Sequence, residues 1–187
     1  APVAVTTTLF LFFVDARLEA GGKEGPLLLA FFLAAACAAP VWGVLAERHG
    51  PKRVLLAAMA LSILSLGGAV FLGAGDWAWF AVICLVSGAA LGADLTLLPA
   101  IFAARMAQIS PGATDGFGLW SFVSKFTLAF AAVTLLPALQ AAGFNSAGDS
   151  PAAALTLLAV LYALVPCGLK LFAMALLVAT PIKGALA

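Results

Sequence analysis

Charged residues are scarce in this sequence. Only 9% of its 187 residues are Asp, Glu, Lys or Arg, whereas 65% are hydrophobic. A soluble domain carries roughly 25% charged residues, because its surface has to stay hydrated. The composition therefore excludes a soluble globular fold and predicts an integral membrane protein. The net charge of +1 also argues against a nucleic-acid partner, since phosphate binding requires clustered Lys and Arg.

Histidine and cysteine are also scarce, with one His and three Cys in the whole chain. His49 lies in a connecting loop, and Cys37, Cys84 and Cys167 lie far apart within apolar stretches. This spacing fits no metal-binding pattern. No span contains paired carboxylates of the kind that hydrolases use. We therefore expect no enzyme, no cofactor and no metal site, and we expect the cysteines to pack between helices as small apolar side chains.

Long apolar runs dominate what is present. A bilayer core takes about 20 apolar residues per helix, and borders of charge, Gly and Pro divide the chain into six such spans. We place them near residues 1–19, 25–45, 54–74, 77–103, 117–140 and 152–180. The connections are short, so we predict an all-α fold in which residues 1–187 form a single polytopic membrane helix bundle. We expect the first span, which is the weakest, to continue upstream of this sequence.

The basic residues divide unevenly between the two ends of these spans. If the spans alternate in direction, five basic residues lie on one side: Arg48, Lys52, Arg53, Arg105 and Lys183. Arg17 and Lys23 lie on the other side. Cytoplasmic loops carry the excess of Lys and Arg. We therefore predict that both ends of the segment are cytoplasmic and that the protein lies in the cell (inner) membrane.

Two sequence features predict how the spans pack. Residues 87–92 of the fourth span read SGAALG, a small-xxx-small pattern that permits close helix contact in lipid. Four prolines lie in or near span interiors: Pro40, Pro99, Pro137 and Pro166. Each removes a backbone donor and either shapes the bundle by a kink or takes part in gating.

Three ionisable residues lie within the apolar spans: Asp94, Lys125 and Lys170. At a rise of about 1.5 Å per residue, they lie about 14, 12 and 15 Å from the cytoplasmic ends of their spans. An ionisable side chain inside a membrane is costly unless it is paired or hydrated. Their common depth therefore predicts a functional site. Two structural interpretations remain open: Asp94 and Lys125 pair to lock the fourth span to the fifth, or Lys170 extends its long stem toward the interface.

The fifth span carries a polar stripe, which we define as Ser121, Ser124 and Lys125. Ser121 and Lys125 are four residues apart, and Ser124 lies on the same side of the helix. A polar stripe on an otherwise apolar helix should face protein or water rather than lipid. The fifth span is therefore expected to border a path or a partner.

The loop after the second span, residues 43–53, reads GVLAERHGPKR. It resembles the G-x-L-A-D-R-x-G-x-K-R signature of the major facilitator superfamily, with Glu47 in place of the usual Asp. We expect Gly43 to let two helices touch, Glu47 to pair with a basic residue or a helix N-terminus, and Gly50 to permit a tight turn. Three basic residues hold the loop on the cytoplasmic side: Arg48, Lys52 and Arg53. The resemblance implies a loop that gates conformational change; the alternative is an ordinary positive-inside loop.

Further segments resemble the glycoside–pentoside–hexuronide:cation symporter family (melibiose permease-like). They are residues 10–14, 25–29, 91–95 with Pro99, 116–122 with Lys125, and 162–170. The resemblance implies that the chain is the C-terminal six-helix half of a major facilitator superfamily transporter. It also implies that Lys125 and Ser121 line the cavity and that Asp94 lies near the solute. Trp120 then either stacks on a sugar ring or anchors the bundle.

The resemblance and the buried charges together predict a secondary active transporter, working by alternating access, that carries a sugar or related small solute with Na⁺ or H⁺. Its partners would be the lipid bilayer, the solute and an N-terminal six-helix half that supplies most cation ligands. The candidate substrate-binding or coupling residues are Lys125, Ser121, Asp94, Trp120 and Lys170. Two alternatives stay open: a uniporter, exporter or lipid transporter of the same fold, and a membrane scaffold that transports nothing.

Overall fold

The computed structural model of the chain describes residues 2–19, 22–109, 115–143 and 151–179. Within these residues it contains six α-helices and no strand, so the all-α prediction is confirmed. The helices are α1 (Pro2–Phe12), α2 (Glu24–His49), α3 (Pro51–Gly68), α4 (Trp77–Ile109), α5 (Asp115–Ala141) and α6 (Ala152–Ala179). A π-helical turn, Phe13–Arg17, extends α1, and a 3-10 turn, Ala69–Phe71, extends α3.

Five of the described helices, α2 to α6, are long and apolar enough to cross a membrane, by length and composition. α1 with its π-helical turn is shorter than the roughly 20 residues that a bilayer core requires. α2 and α4 continue past the predicted borders at residues 45 and 103. The borders mark where the apolar run ends, whereas a helix can continue into the polar interface because its backbone bonds are internal. The helices also continue through their interior prolines: Pro40, Pro99, Pro137 and Pro166.

Two hydrogen bonds identify the two ends of the bundle. At one end, Lys52 in the first turn of α3 donates to the backbone oxygen of Val178, near the end of α6, over 3.2 Å. At the other end, the Gly75 backbone amide donates to the Leu18 oxygen over 3.1 Å, which joins the segment after α1 to the segment before α4. Both contacts are expected if consecutive helices run in opposite directions. Lys183, predicted on the same side as Lys52, lies outside the described residues.

The helix contacts have an internal symmetry. α2 and α3 pack against α4, and in the same way α5 and α6 pack against α1, while α3 and α6 contact each other. Exchanging the first three helices with the last three therefore leaves unchanged which helices contact each other. Because consecutive helices alternate in direction, α1 and α4 run in opposite directions, and this contact pattern is the one expected of an inverted repeat of two three-helix units. The symmetry is incomplete, because α2 contacts α4 far more extensively than α5 contacts α1.

The apolar core has two clusters, one toward each end of the bundle. Near the Leu18–Gly75 end, Phe13 stacks on Tyr162 with ring centroids 4.4 Å apart, and Phe80 packs against both rings. The second cluster lies near the opposite end and joins α2, α3, α4 and α6. Cys84 and Cys167 pack into the first cluster as predicted, but Cys37 is exposed. The prediction for Cys37 is wrong because α2 turns that face away from its neighbours.

Candidate functional site

Asp94 and Lys170 form a buried ion pair between α4 and α6. The Lys170 Nζ lies 2.8 Å from Asp94 Oδ2, and the two side chains are only 5% and 9% exposed. The ion pair places both residues at the same height along the bundle, in agreement with their similar predicted depths. The hypothesis that Asp94 pairs with Lys125 is wrong, because α5 packs mainly against α1 and α6. The interpretation that Lys170 reaches the interface is also wrong, because its ammonium group is held inside the bundle.

Close contact with α2 fixes the position of α4. A Cβ at Gly92 would lie 2.5 Å from the backbone oxygen of Ala35, and a Cβ at Gly88 would overlap the backbone carbonyl of Phe31. No residue larger than glycine fits at these two positions without a shift of backbone. The predicted small-xxx-small contact is therefore confirmed. It holds α4 against α2, so the carboxylate of Asp94, two residues beyond Gly92, has little freedom to move.

The ion pair lines a cavity inside the bundle. Its lining comes from α1, α2, α3, α4 and α6. Apart from tyrosine and cysteine, the described residues include four buried polar or charged side chains, and all four line this cavity: Ser62, Ser87, Asp94 and Lys170. We call these four residues the cavity floor. The second carboxylate oxygen, Asp94 Oδ1, is buried and has no hydrogen-bond partner among the described residues.

The polar stripe of α5 lies elsewhere. Ser121, Ser124 and Lys125 are all exposed, and none of them lines the cavity. Lys125 makes no ion pair within the described residues. It lies about 15 Å along the helix axis from the start of α5 at Asp115. That Lys125 and Ser121 line a transport path therefore stays a prediction, and such a path would lie on the outer surface of this bundle.

Trp120 packs its ring against α4. Its ring lies 4.9 Å from the ring of Phe102 on α4, and Phe102 also meets Phe117 edge-on at 5.3 Å. These contacts support the interpretation in which Trp120 anchors α5 to α4. They leave the ring only partly exposed.

Residues 43–53, which we continue to call the loop, are helical except at Gly50, because α2 extends to His49 and α3 begins at Pro51. Gly50 has a φ of 84°, which residues with a side chain rarely adopt, so the predicted tight turn is confirmed. A Cβ at Gly43 would meet nothing within 4 Å, so the prediction that Gly43 brings two helices together is wrong. Glycines of α4 make that approach instead. The described residues offer Glu47 no ion pair, and three charged side chains of the loop are exposed: Glu47, Arg48 and Arg53.

Sequence reasoning did not identify Ser62, Ser87 and Tyr162 as residues that share the cavity with the ion pair. A serine inside an apolar run is a weak signal, because its hydroxyl can bond to its own helix. Ser87 does so, donating to the Ile83 oxygen over 2.6 Å. Tyr162 offered a stronger signal, since it is the single tyrosine of the chain.

Comparison with known protein families matches residues 1–184 to the family described as MFS/sugar transport protein. The match covers nearly the whole chain. No curated protein and no solved structure matches the chain.

Proposed function

Because the chain belongs to the family of MFS sugar transport proteins, we propose that it carries a sugar or related small solute by cation-coupled symport with alternating access. The solute and a Na⁺ or H⁺ ion would share a path between this helix bundle and an N-terminal six-helix half. The polar stripe of α5 would border that path. Both ends of the chain would face the cytoplasm of a cell (inner) membrane, as the distribution of basic residues predicts.

The exposed position of Lys125 is the observation that carries this proposal. Its ammonium group lies within an apolar membrane helix, yet within the described residues it has no counter-ion. A lysine at that depth would be costly against lipid tails, so it should face water or a second protein surface. Ser121 and Ser124 on the same face add hydroxyl groups that can exchange hydrogen bonds with a hydrated solute. A transport path meets both requirements, whereas a lipid-facing helix meets neither.

Lys125 would then work as an electrostatic switch. In one state it pairs with carboxylates of the N-terminal half, and binding of the ion and the solute releases it. A ligand can shift the two states only through its different affinity for each of them. The release of a charge pair supplies such a difference, because the cation replaces the lysine beside the same carboxylates.

The loop at residues 43–53 would gate this change at the cytoplasmic end. Gly50 makes the turn between α2 and α3, and Lys52 bonds to the backbone of Val178 near the end of α6. The loop thus joins the first three-helix unit to the last helix. Its exposed charges, on Glu47, Arg48 and Arg53, remain available to contact the other half.

The test is solute uptake by the full-length protein in liposomes, with sodium and proton gradients imposed in turn. Radiolabelled hexoses, disaccharides and hexuronates serve as candidate solutes. We expect accumulation above equilibrium with one of the gradients, and at least about a tenfold loss of it in Lys125→Met, as for removal of a charged partner. Thr134→Val, which changes an exposed polar residue elsewhere on α5, is the matched control and should retain uptake.

Three outcomes would count against the proposal. Unchanged affinity and unchanged uphill uptake in Lys125→Met would show that Lys125 is not an electrostatic switch. Equilibration that ignores both gradients would favour a uniporter. The absence of transport for every solute, from a folded protein, would favour a scaffold, an exporter or a lipid transporter over a sugar symporter.

A further inference from the structure

The cavity floor lies apart from the polar stripe, and no described residue of α5 lines the cavity. We propose that this cavity is a binding site for a small neutral alcohol, a molecule with one hydroxyl group and an apolar aromatic or aliphatic body. The inference stands on the geometry of the cavity and does not depend on the proposed symport.

The cavity floor determines the charge and the polar group of the ligand. Lys170 neutralises Asp94 across 2.8 Å, so the two charges of the floor cancel. A further ion there would be buried without a counter-ion, which is strongly unfavourable in apolar surroundings. Asp94 Oδ1 is nevertheless a hydrogen-bond acceptor that lacks a partner among the described residues. A neutral hydroxyl group suits it, because a hydroxyl donates a hydrogen bond to a carboxylate without adding charge.

The walls determine the rest of the ligand. Those formed by α1 and α2 are mostly apolar and include Val3, Phe10, Leu28, Phe31 and Phe32. Val3 and Phe32 are 40% and 50% exposed, whereas the residues of the floor are at most 9% exposed. The apolar side chains therefore form the mouth, and the polar ones lie deeper. A ligand that enters hydroxyl first leaves its apolar body against aromatic walls, which is favourable.

Two other ligand classes fit less well. A free sugar carries hydroxyl groups on all sides, and many of them would be buried against apolar walls without partners. A purely apolar molecule would leave Asp94 Oδ1 without a hydrogen bond, so it gains nothing from the floor.

The first test uses the full-length wild-type protein in lipid nanodiscs and needs no variant. Fluorine NMR titrations compare 4-fluorobenzyl alcohol with 4-fluorotoluene, which has the same ring and no hydroxyl group; empty nanodiscs correct for partition into lipid. We expect saturable binding of the alcohol, binding of 4-fluorotoluene that is weaker by about tenfold or more, and no displacement by D-glucose. Equal affinities for the two aromatic probes, or displacement by D-glucose, would overturn the proposal.

The second test assigns the binding to this cavity. Ser62→Leu places a larger apolar side chain in the cavity floor, whereas Ser65→Leu makes the same change one helical turn away, at a residue that does not line the cavity. Affinity for 4-fluorobenzyl alcohol should fall by about tenfold or more in the first and stay within about twofold in the second. Equal effects of the two substitutions would refute the assignment. Thermal unfolding without ligand checks that each variant is folded. If Ser62→Leu does not fold, the comparison of the two probes on the wild-type protein still tests the proposal.

Discussion

Half of the most apolar stretch of α4 is buried in the bundle, compared with 11% of that of α5. Each helix carries one ionisable residue inside its span, Asp94 on α4 and Lys125 on α5. Asp94 is paired with Lys170, whereas Lys125 is exposed and has no ion pair within the described residues. The same sequence signal thus has two different structural outcomes. A buried charge needs a counter-ion from its own bundle, and an exposed one at membrane depth needs water or another protein surface.

The largest difference between the two helices is expected when each lysine loses its charge. Lys170→Met leaves the Asp94 carboxylate buried and unpaired, which should lower the free energy of unfolding by about 3–5 kcal/mol. Lys125→Met should change it by less than about 1 kcal/mol, because that side chain is exposed. Denaturant or thermal unfolding of the detergent-solubilised protein measures both. The double variant Asp94→Leu/Lys170→Met should regain most of the lost stability. If the double variant is no more stable than Lys170→Met, the loss does not come from an unpaired Asp94 carboxylate.

A methyl group added to each helix gives the next largest effect. Gly88→Ala on α4 forces a Cβ against the backbone of Phe31, so we expect a loss of about 1–3 kcal/mol as α2 and α4 separate. A Cβ at Gly118 on α5 would meet nothing within 4 Å, and alanine favours helix by about 1 kcal/mol over glycine. Gly118→Ala should therefore be neutral or stabilising in the same unfolding measurement. Equal destabilisation by the two substitutions would show that α5 is as tightly packed as α4.

The smallest expected effect concerns two tryptophans. The Trp42 indole on α2 donates to the Ala89 oxygen of α4 over 2.7 Å, and Trp42→Phe removes that bond at a cost of about 1 kcal/mol. Trp120→Phe on α5 keeps an aromatic ring beside Phe102, so its cost should be below about 0.5 kcal/mol. Unfolding free energies measured side by side would test the order. A larger loss at Trp120 would mean that the α4–α5 contact is more important than its small extent indicates.

Several parts of the fold could be predicted from sequence because they depend on neighbours along the chain. Gly88 and Gly92 are one helical turn apart, which is enough to predict a close contact in lipid. Gly50 stands between two apolar runs, where a positive φ makes the turn. Gly43 carries the same kind of signal, but a Cβ there would meet nothing within 4 Å, because a glycine permits close approach without requiring it.

The partner of Asp94 could not be predicted in this way. Lys125 and Lys170 lay at nearly equal predicted depths, about 12 and 15 Å from the ends of their spans. Depth alone therefore offered two partners, and only the placement of α5 and α6 in the bundle decides between them. Ser62 and Ser87 joined the site for the same reason, since nothing local distinguishes a serine that lines a cavity from one bonded to its own helix.

The sequence by itself determined that this protein lies in a membrane and that it is built of helices, and it predicted a common depth for the three charged residues within its spans. These properties depend on composition and on the length of each apolar run compared with the thickness of a bilayer. The tertiary structure decided that Lys170 neutralises Asp94, that four buried polar side chains share one cavity, and that Lys125 lies on an open face. Those outcomes depend on how helices distant in sequence rotate and pack against one another, which no local pattern specifies.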